Sequence, residues 1–190
     1  MIKNFFSFIF ELLKIVIISL VIIIPVRYFL IQPFYVKGAS MEPNFYDREY
    51  LIIDEISYRF NEPRRGDIVV FRYPKDPQEF FIKRVIALPG ESVQIKDGKV
   101  TIFNAVNPEG FVLREDYLQA EVKTYGLTEE KIALNEDEYF VLGDNRNQSK
   151  DSRYFGSVNK SFIIGRVMFR GWPFSRVTVF ETPQYSPAIN

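Results

Sequence analysis

Arg64-Arg65-Gly66-Asp67-Ile68-Val69-Val70-Phe71, followed by Phe80-Phe81-Ile82-Lys83-Arg84-Val85-Ile86, is the stretch that decides the fold. Arg64 to Asp67 has turn composition and launches Ile68 to Phe71, an unbroken apolar run suited to a strand buried on both faces. Tyr73-Pro74 to Pro77 reads as a loop. Phe80 to Ile86 is the next strand, ended by Leu88-Pro89-Gly90. Downstream, Val93 to Lys96 and Lys99 to Ile102 flank Asp97-Gly98, a two-residue turn whose twist matches a β-hairpin. Residues 104–135 are polar and punctuated by Pro and Gly, as in a small surface insertion or cap. Tyr139 to Leu142 returns to strand, then comes a long polar turn, Gly143 to Arg153, and closing strands at Ile163 to Arg170 and Val177 to Phe180. Upstream, Tyr50 to Ile53 and Phe34 to Val36 read as strands on either side of Gly38-Ala39-Ser40-Met41-Glu42-Pro43. Beyond Gln32-Pro33 no stretch has helical periodicity of ten residues or more, so the domain is expected to be all-β.

Leu12 to Ile31 is an apolar run of 20 residues broken only by Lys14, Ser19, Pro25 and Arg27, about what a ~30 Å hydrocarbon layer requires. As a span it needs Lys14 and Arg27 to reach opposite interfaces, with Tyr28 and Phe29 in an aromatic belt. A cleaved secretory leader is the alternative, but the run exceeds the usual ~7–15-residue leader core, which favours a retained anchor. The expected organisation is an anchor over residues 1–32 and a catalytic-size domain over 33–190, mainly β. Basic residues lie on both sides of the run, so they do not decide which side the domain faces.

Composition removes whole classes of chemistry. The 190 residues include no histidine and no cysteine, which excludes a Ser-His-Asp triad, a Cys-His dyad and the common Cys/His zinc sites. With 24 basic and 24 acidic residues and no block of like charge, there is no electrostatic footprint for nucleic acid. An activated serine in this chain must rely on a lysine or a carboxylate. Lys83 is a candidate, because burial among Phe80, Phe81, Ile82, Val85 and Ile86 would lower an ammonium pKa from ~10.4 toward that of a useful base. Taken alone it equally fits a solvated lysine on an edge strand, and Gly-x-Ser alone is an ordinary turn. The polar turn Gly143 to Arg153 can satisfy itself by side-chain to backbone bonds or can support a neighbouring site. Its spacing is not that of a calcium loop.

Four segments in order resemble bacterial type I signal peptidase, the membrane serine/lysine endopeptidase of the peptidase S26 family. They are Gly38 to Pro43, Arg65 to Phe71, Lys83-Arg84-Val85-Ile86-Ala87-Leu88-Pro89-Gly90-Glu91, and Gly143-Asp144-Asn145-Arg146 through Ser149-Lys150-Asp151-Ser152-Arg153. The preceding anchor and the closing Phe169-Arg170-Gly171-Trp172-Pro173-Phe174 agree. The resemblance implies that Ser40 is the nucleophile, with its own N–H in the oxyanion hole, and that Lys83 is the general base. It implies that Ser149 hydrogen-bonds and orients that base, and that Asp144, Arg84, Asp151 and Arg153 brace the site by ion pairs. Phe34, Val36 and Ile82 would line shallow pockets for small residues at the first and third positions before the scissile bond. No cofactor or metal is implied. The expected partners are exported preproteins with signal peptides and the lipid bilayer, at the cell membrane, with a single span and an extracytoplasmic catalytic domain. Two departures stand out: Gly38, where some members carry a serine that supplements the oxyanion hole, and Asn44, where threonine is frequent. The short insertion between Glu91 and Gly143 argues against the elaborate second domain of larger members. An autoproteolytic Ser/Lys switch protein shares the dyad but would need a DNA-binding region where this chain has its apolar run. An inactive anchored β module is the remaining alternative.

Overall fold

The computed structural model describes residues 2–25 and 31–182. Helix α1 (Ile2–Pro25) comes first, and its segment Phe5–Ile24 is long and apolar enough to cross a membrane. The expected span of Leu12 to Ile31 overlaps this segment, and its residues 26–30 lie outside the described residues. Phe5, Phe6, Phe8 and Phe10 carry the apolar run back toward the N-terminus. Pro25 is the last described residue of the helix. Lys14 lies within the segment Phe5–Ile24, one turn after Glu11. Ile31 and Gln32, expected in the anchor, belong to a strand. Arg27, Tyr28 and Phe29, expected at the interface, lie outside the described residues.

The domain is built from β1 (Ile31–Tyr35), β2 (Tyr50–Asp54), β3 (Ile68–Tyr73), β4 (Asp76–Ala87), β5 (Ser92–Lys96) and β6 (Lys99–Phe103), then β7 (Phe111–Val112), β8 (Ile132–Ala133), β9 (Glu138–Leu142), β10 (Val158–Asn159), β11 (Ile163–Trp172) and β12 (Thr178–Val179). Two one-turn helices, α2 (Ser57–Phe60) and α3 (Ser152–Phe155), sit between strands. The larger sheet runs β1-β2-β11-β3-β4-β9-β10, with β12 beside β11. Strand alternation explains the deciding stretch. Ile68 and Val70 point into one core with Met41, Phe45, Leu51 and Ile53. Val69 and Phe71 point into another with Val85, Tyr139 and Val141. A strand covered on both faces must read as continuously apolar.

β4 is longer than its sequence suggested. The expected loop from Tyr73 to Pro77 contracts to a tight turn, and Asp76 already pairs with Tyr73 across a register irregularity. Asp76 to Glu79 did not look like strand because they are polar and exposed. β4 pairs with β9 only from Arg84 onward, so its first half has an open edge, and β1 ends the sheet. The sheet curls until these edges approach, with the rings of Phe34 and Phe80 meeting edge to face at 5.7 Å.

The smaller sheet has the order β7-β6-β5-β8. Its hairpin turns at Asp97 and Gly98, with φ of 53° and 78°, the left-handed pair a two-residue turn of this kind requires. The expected cap over residues 104–135 supplies β7 and β8 to that hairpin. Hairpin and insertion therefore form one unit, which packs on Ile86, Ala87, Phe140 and Leu142 of the larger sheet.

Candidate active site

The loop between β1 and β2 carries Ser40. It is closed at its base by Val36 N–H donating to Glu49 O and Arg48 N–H donating to Val36 O, both at 2.9 Å, and held from beneath by buried Met41 and Phe45. Gly38 has φ +92° and donates its N–H to Asp47 Oδ1 at 2.8 Å. A Cβ there would meet nothing within 4 Å, so it is backbone conformation and not space that favours glycine. The next contacts come from the polar turn. Asn145 donates its N–H to Ser40 O at 3.0 Å and its side-chain amide to Ala39 O at 3.1 Å. The Ser40 N–H has no acceptor among the described residues.

Lys83 lies on β4 with 3% of its surface exposed. Its Nζ donates to Ser40 Oγ at 2.8 Å and to Ile82 O at 2.8 Å, and it stands 5.1 Å from the Phe81 ring centroid. Burial lowers the Lys83 pKa to about 8, against an opposing pull from the Asp151 and Asp144 carboxylates. The amine is thus neutral in about a tenth of molecules at pH 7, far more than an exposed lysine would be. Ser149, expected to bond this amine, does not do so: its hydroxyl is buried and has no hydrogen-bond partner. The amine is committed instead to Ser40 and the Ile82 carbonyl. Ser149 is nevertheless packed into the site, since a Cβ on Gly143 would lie 2.1 Å from Ser149 Oγ and 2.4 Å from Ser40 O. Only glycine lets β9 run this close beneath the serine loop.

Two buried ion pairs surround the dyad. Arg84 grips Asp144 through Nε at 2.8 Å and a terminal nitrogen at 2.6 Å, and also donates to Gly66 O at 3.0 Å. Asp151 accepts from Arg153 at 2.8 Å through both carboxylate oxygens and takes the Gly143 N–H at 3.0 Å. Asp144 also accepts from Asn44 Nδ2 at 2.8 Å, and the same amide donates to Tyr117 O at 3.0 Å. The departure at Asn44 therefore ties the serine loop to both the ion pair and the insertion. Arg146 reaches the insertion too, donating to both Glu115 oxygens, to Thr124 Oγ1 and to Tyr117 Oη.

Beside the dyad opens a cleft of about 560 Å³, lined by Phe34, Val36 and Ile82 together with Ser40 and Lys83. The structure brings these five together and sets the four bracing residues behind them. Asn145, Arg146 and Phe80 were not assigned roles from the sequence. The first two sit in a turn already marked as polar, but nothing in its spacing says which side chains turn inward. Phe80 looked like one more apolar strand residue. Among the described residues, no group of three or more acidic side chains is placed to hold a metal.

A serine hydroxyl bonded to a buried amine at the mouth of an apolar cleft has the chemistry of a serine hydrolase whose base is a lysine. A family model described as "Signal peptidase, peptidase S26" matches residues 9–172. The chain belongs to that family. It is similar to a signal peptidase I from Leptolyngbya laminosa, 40% identical over 91% of this chain and 84% of that one. It is also similar to a probable signal peptidase I-2 from a Synechocystis species, 38% identical over 88% of this chain and 75% of that one. A signal peptidase IB from Staphylococcus aureus is 33% identical over 88% of this chain and 91% of that one.

Proposed function

We propose that this chain is a membrane-anchored serine endopeptidase that removes N-terminal signal peptides from exported preproteins, cutting after small residues. The observation that carries the reading is the 2.8 Å bond between Lys83 Nζ and Ser40 Oγ, with no other base bonded to that hydroxyl among the described residues. In the neutral state the amine takes the Ser40 proton as Oγ adds to the scissile carbonyl. The free Ser40 N–H is available to the resulting oxyanion, and Gly38 contributes no hydroxyl there. The ammonium then gives its proton to the departing amine, leaving an ester on Ser40. Water, deprotonated by the same amine, hydrolyses that ester and returns the serine.

The cleft supports a substrate bound as an extended segment between the open edges of β1 and β4, where main-chain bonds give affinity and alternate side chains enter pockets. Val36 and Ile82 flank the dyad and suit the residue before the scissile bond. Phe34, on β1, lies two residues before Val36, which follows the strand's end; roughly 6.8 Å at strand rise is the spacing between the first and third substrate residues. The helix Phe5–Ile24 suits a single span in the cell membrane, with the catalytic domain on the extracytoplasmic face. Incubating a signal-bearing precursor with the full chain in detergent tests the reading. A product beginning at the mature N-terminus is expected from the wild type and none from Ser40→Ala. Cleavage by neither protein would overturn it.

A further inference from the structure

We infer that Phe80 sets the upper size limit of the side chain accepted at the third position before the scissile bond, an inference resting on the peptidase reading above. Phe80 lies on the open half of β4, two residues before Ile82 and on the same side of the strand, as Phe34 on β1 lies two residues before Val36, just past the end of that strand. Both phenylalanines line the cleft. Their rings meet across it at 5.7 Å and an interplanar angle of 68°, the edge-to-face arrangement aromatic pairs favour. The cleft is thus roofed at one strand repeat from the dyad, where the third residue of an extended substrate arrives.

The ring is also held from behind. Arg72, its cross-strand partner on β3, places its guanidinium carbon 5.1 Å from the Phe80 centroid, and that guanidinium donates to Pro77 O at 3.3 Å. A ring fixed between a cation and a second ring makes a wall that cannot yield cheaply to a larger side chain. Phe80 is nonetheless 46% exposed, so its removal leaves the cores intact. On the proposed reading the first-position pocket is formed by Val36 and Ile82, next to the dyad and one strand repeat from Phe80.

The test uses the full chain in detergent and a peptide series spanning a precursor cleavage site, with Ala fixed at the first position and Ala, Val, Leu or Phe at the third. For Phe80→Ala, kcat/KM for the Leu and Phe peptides relative to the Ala peptide should rise about tenfold or more, the scale on which pocket size discriminates. Phe80→Trp should narrow the range, losing the Val and Leu peptides first, and Arg72→Ala should loosen it less than Phe80→Ala does. A second series varied at the first position should show unchanged preferences. An unaltered third-position ratio in a Phe80→Ala protein that still cuts the Ala peptide overturns the role of Phe80 and leaves the peptidase reading standing. Relaxation at both positions together also overturns it, since the ring would then be a general support. A wild-type chain that cuts no member of either series overturns both.

Discussion

At the residue scale, the general-base role proposed for Lys83 predicts a pH signature set by its surroundings. An amine with a pKa of about 8 in the folded protein should impose a fall in kcat/KM of about tenfold per pH unit below that value and a plateau above it, because only the neutral form accepts the Ser40 proton. A profile set by a group near pH 4 to 5 would assign the base to a carboxylate. Stability should follow the same group with a definite sign. Between about pH 8 and the ordinary lysine value of 10.5, the unfolded chain holds a proton that the native one lacks, so the Lys83 contribution to stability rises with pH across that window. Below it the cost of burying the charge is fully present. Lys83→Met should therefore melt higher than the wild type at pH 7, with the difference vanishing above pH 10.5. Ser149 offers a complementary test. A buried hydroxyl without a partner costs roughly 1–3 kcal/mol, so Ser149→Ala should not lower the melting temperature. If the hydroxyl steadies the amine once substrate arrives, kcat should fall by about tenfold to several-hundredfold, the worth of one hydrogen bond to a charged group. An unchanged kcat would confine Ser149 to packing.

The elements explain why the site could be read only in part from the sequence. β2, β3 and the hairpin of β5 and β6 were legible because their signals are local: apolar runs of strand length, and an Asp-Gly turn with both residues left-handed. Lys83 and Ser40 were legible only because histidine and cysteine are absent and because the motifs stand in a familiar order. The first half of β4 was hidden by its polar composition, and two-residue strands such as β7 and β8 carry no periodicity to detect. The approach of β1 to β4 comes from the curl of a whole sheet, which no short stretch encodes, so Phe80 passed as ordinary. Gly143 shows the same limit at the junction of β9 and the polar turn. Its φ is unremarkable, and its necessity lies in Ser149 and the Ser40 carbonyl pressing on its Cα. Gly143→Ala should lose about 1–3 kcal/mol, as overpacking does, together with most activity, because the strand can make room only by moving the serine loop. Wild-type stability and rates in that variant would show that the close approach is not needed.

At the scale of the whole molecule, the proposed anchoring makes the short segment between α1 and Ser40 the tether that sets how substrate and site meet. Even fully extended, residues 26–39 could lift Ser40 by no more than about 50 Å from the helix end, and β1 is folded into the sheet, so the reach is shorter. A signal peptide holds its apolar core in the bilayer with its cleavage site just beyond. Anchoring both partners in one plane raises their effective concentration when tether and span match. About ten Gly/Ser residues inserted between α1 and β1 should slow processing of membrane-embedded precursors while sparing a short soluble peptide. Equal losses on both substrates would point to a damaged fold, and no loss on either would remove the argument. The measurement closest to the central claim is kcat/KM for one precursor with the wild type, Ser40→Ala, Lys83→Ala and the double variant, each shown to be folded by its melting curve. Nucleophile and base acting as one unit predict that each single change abolishes cleavage and that the double variant is no slower than either. Substantial activity in either single variant, or losses that multiply in the double, would contradict the account.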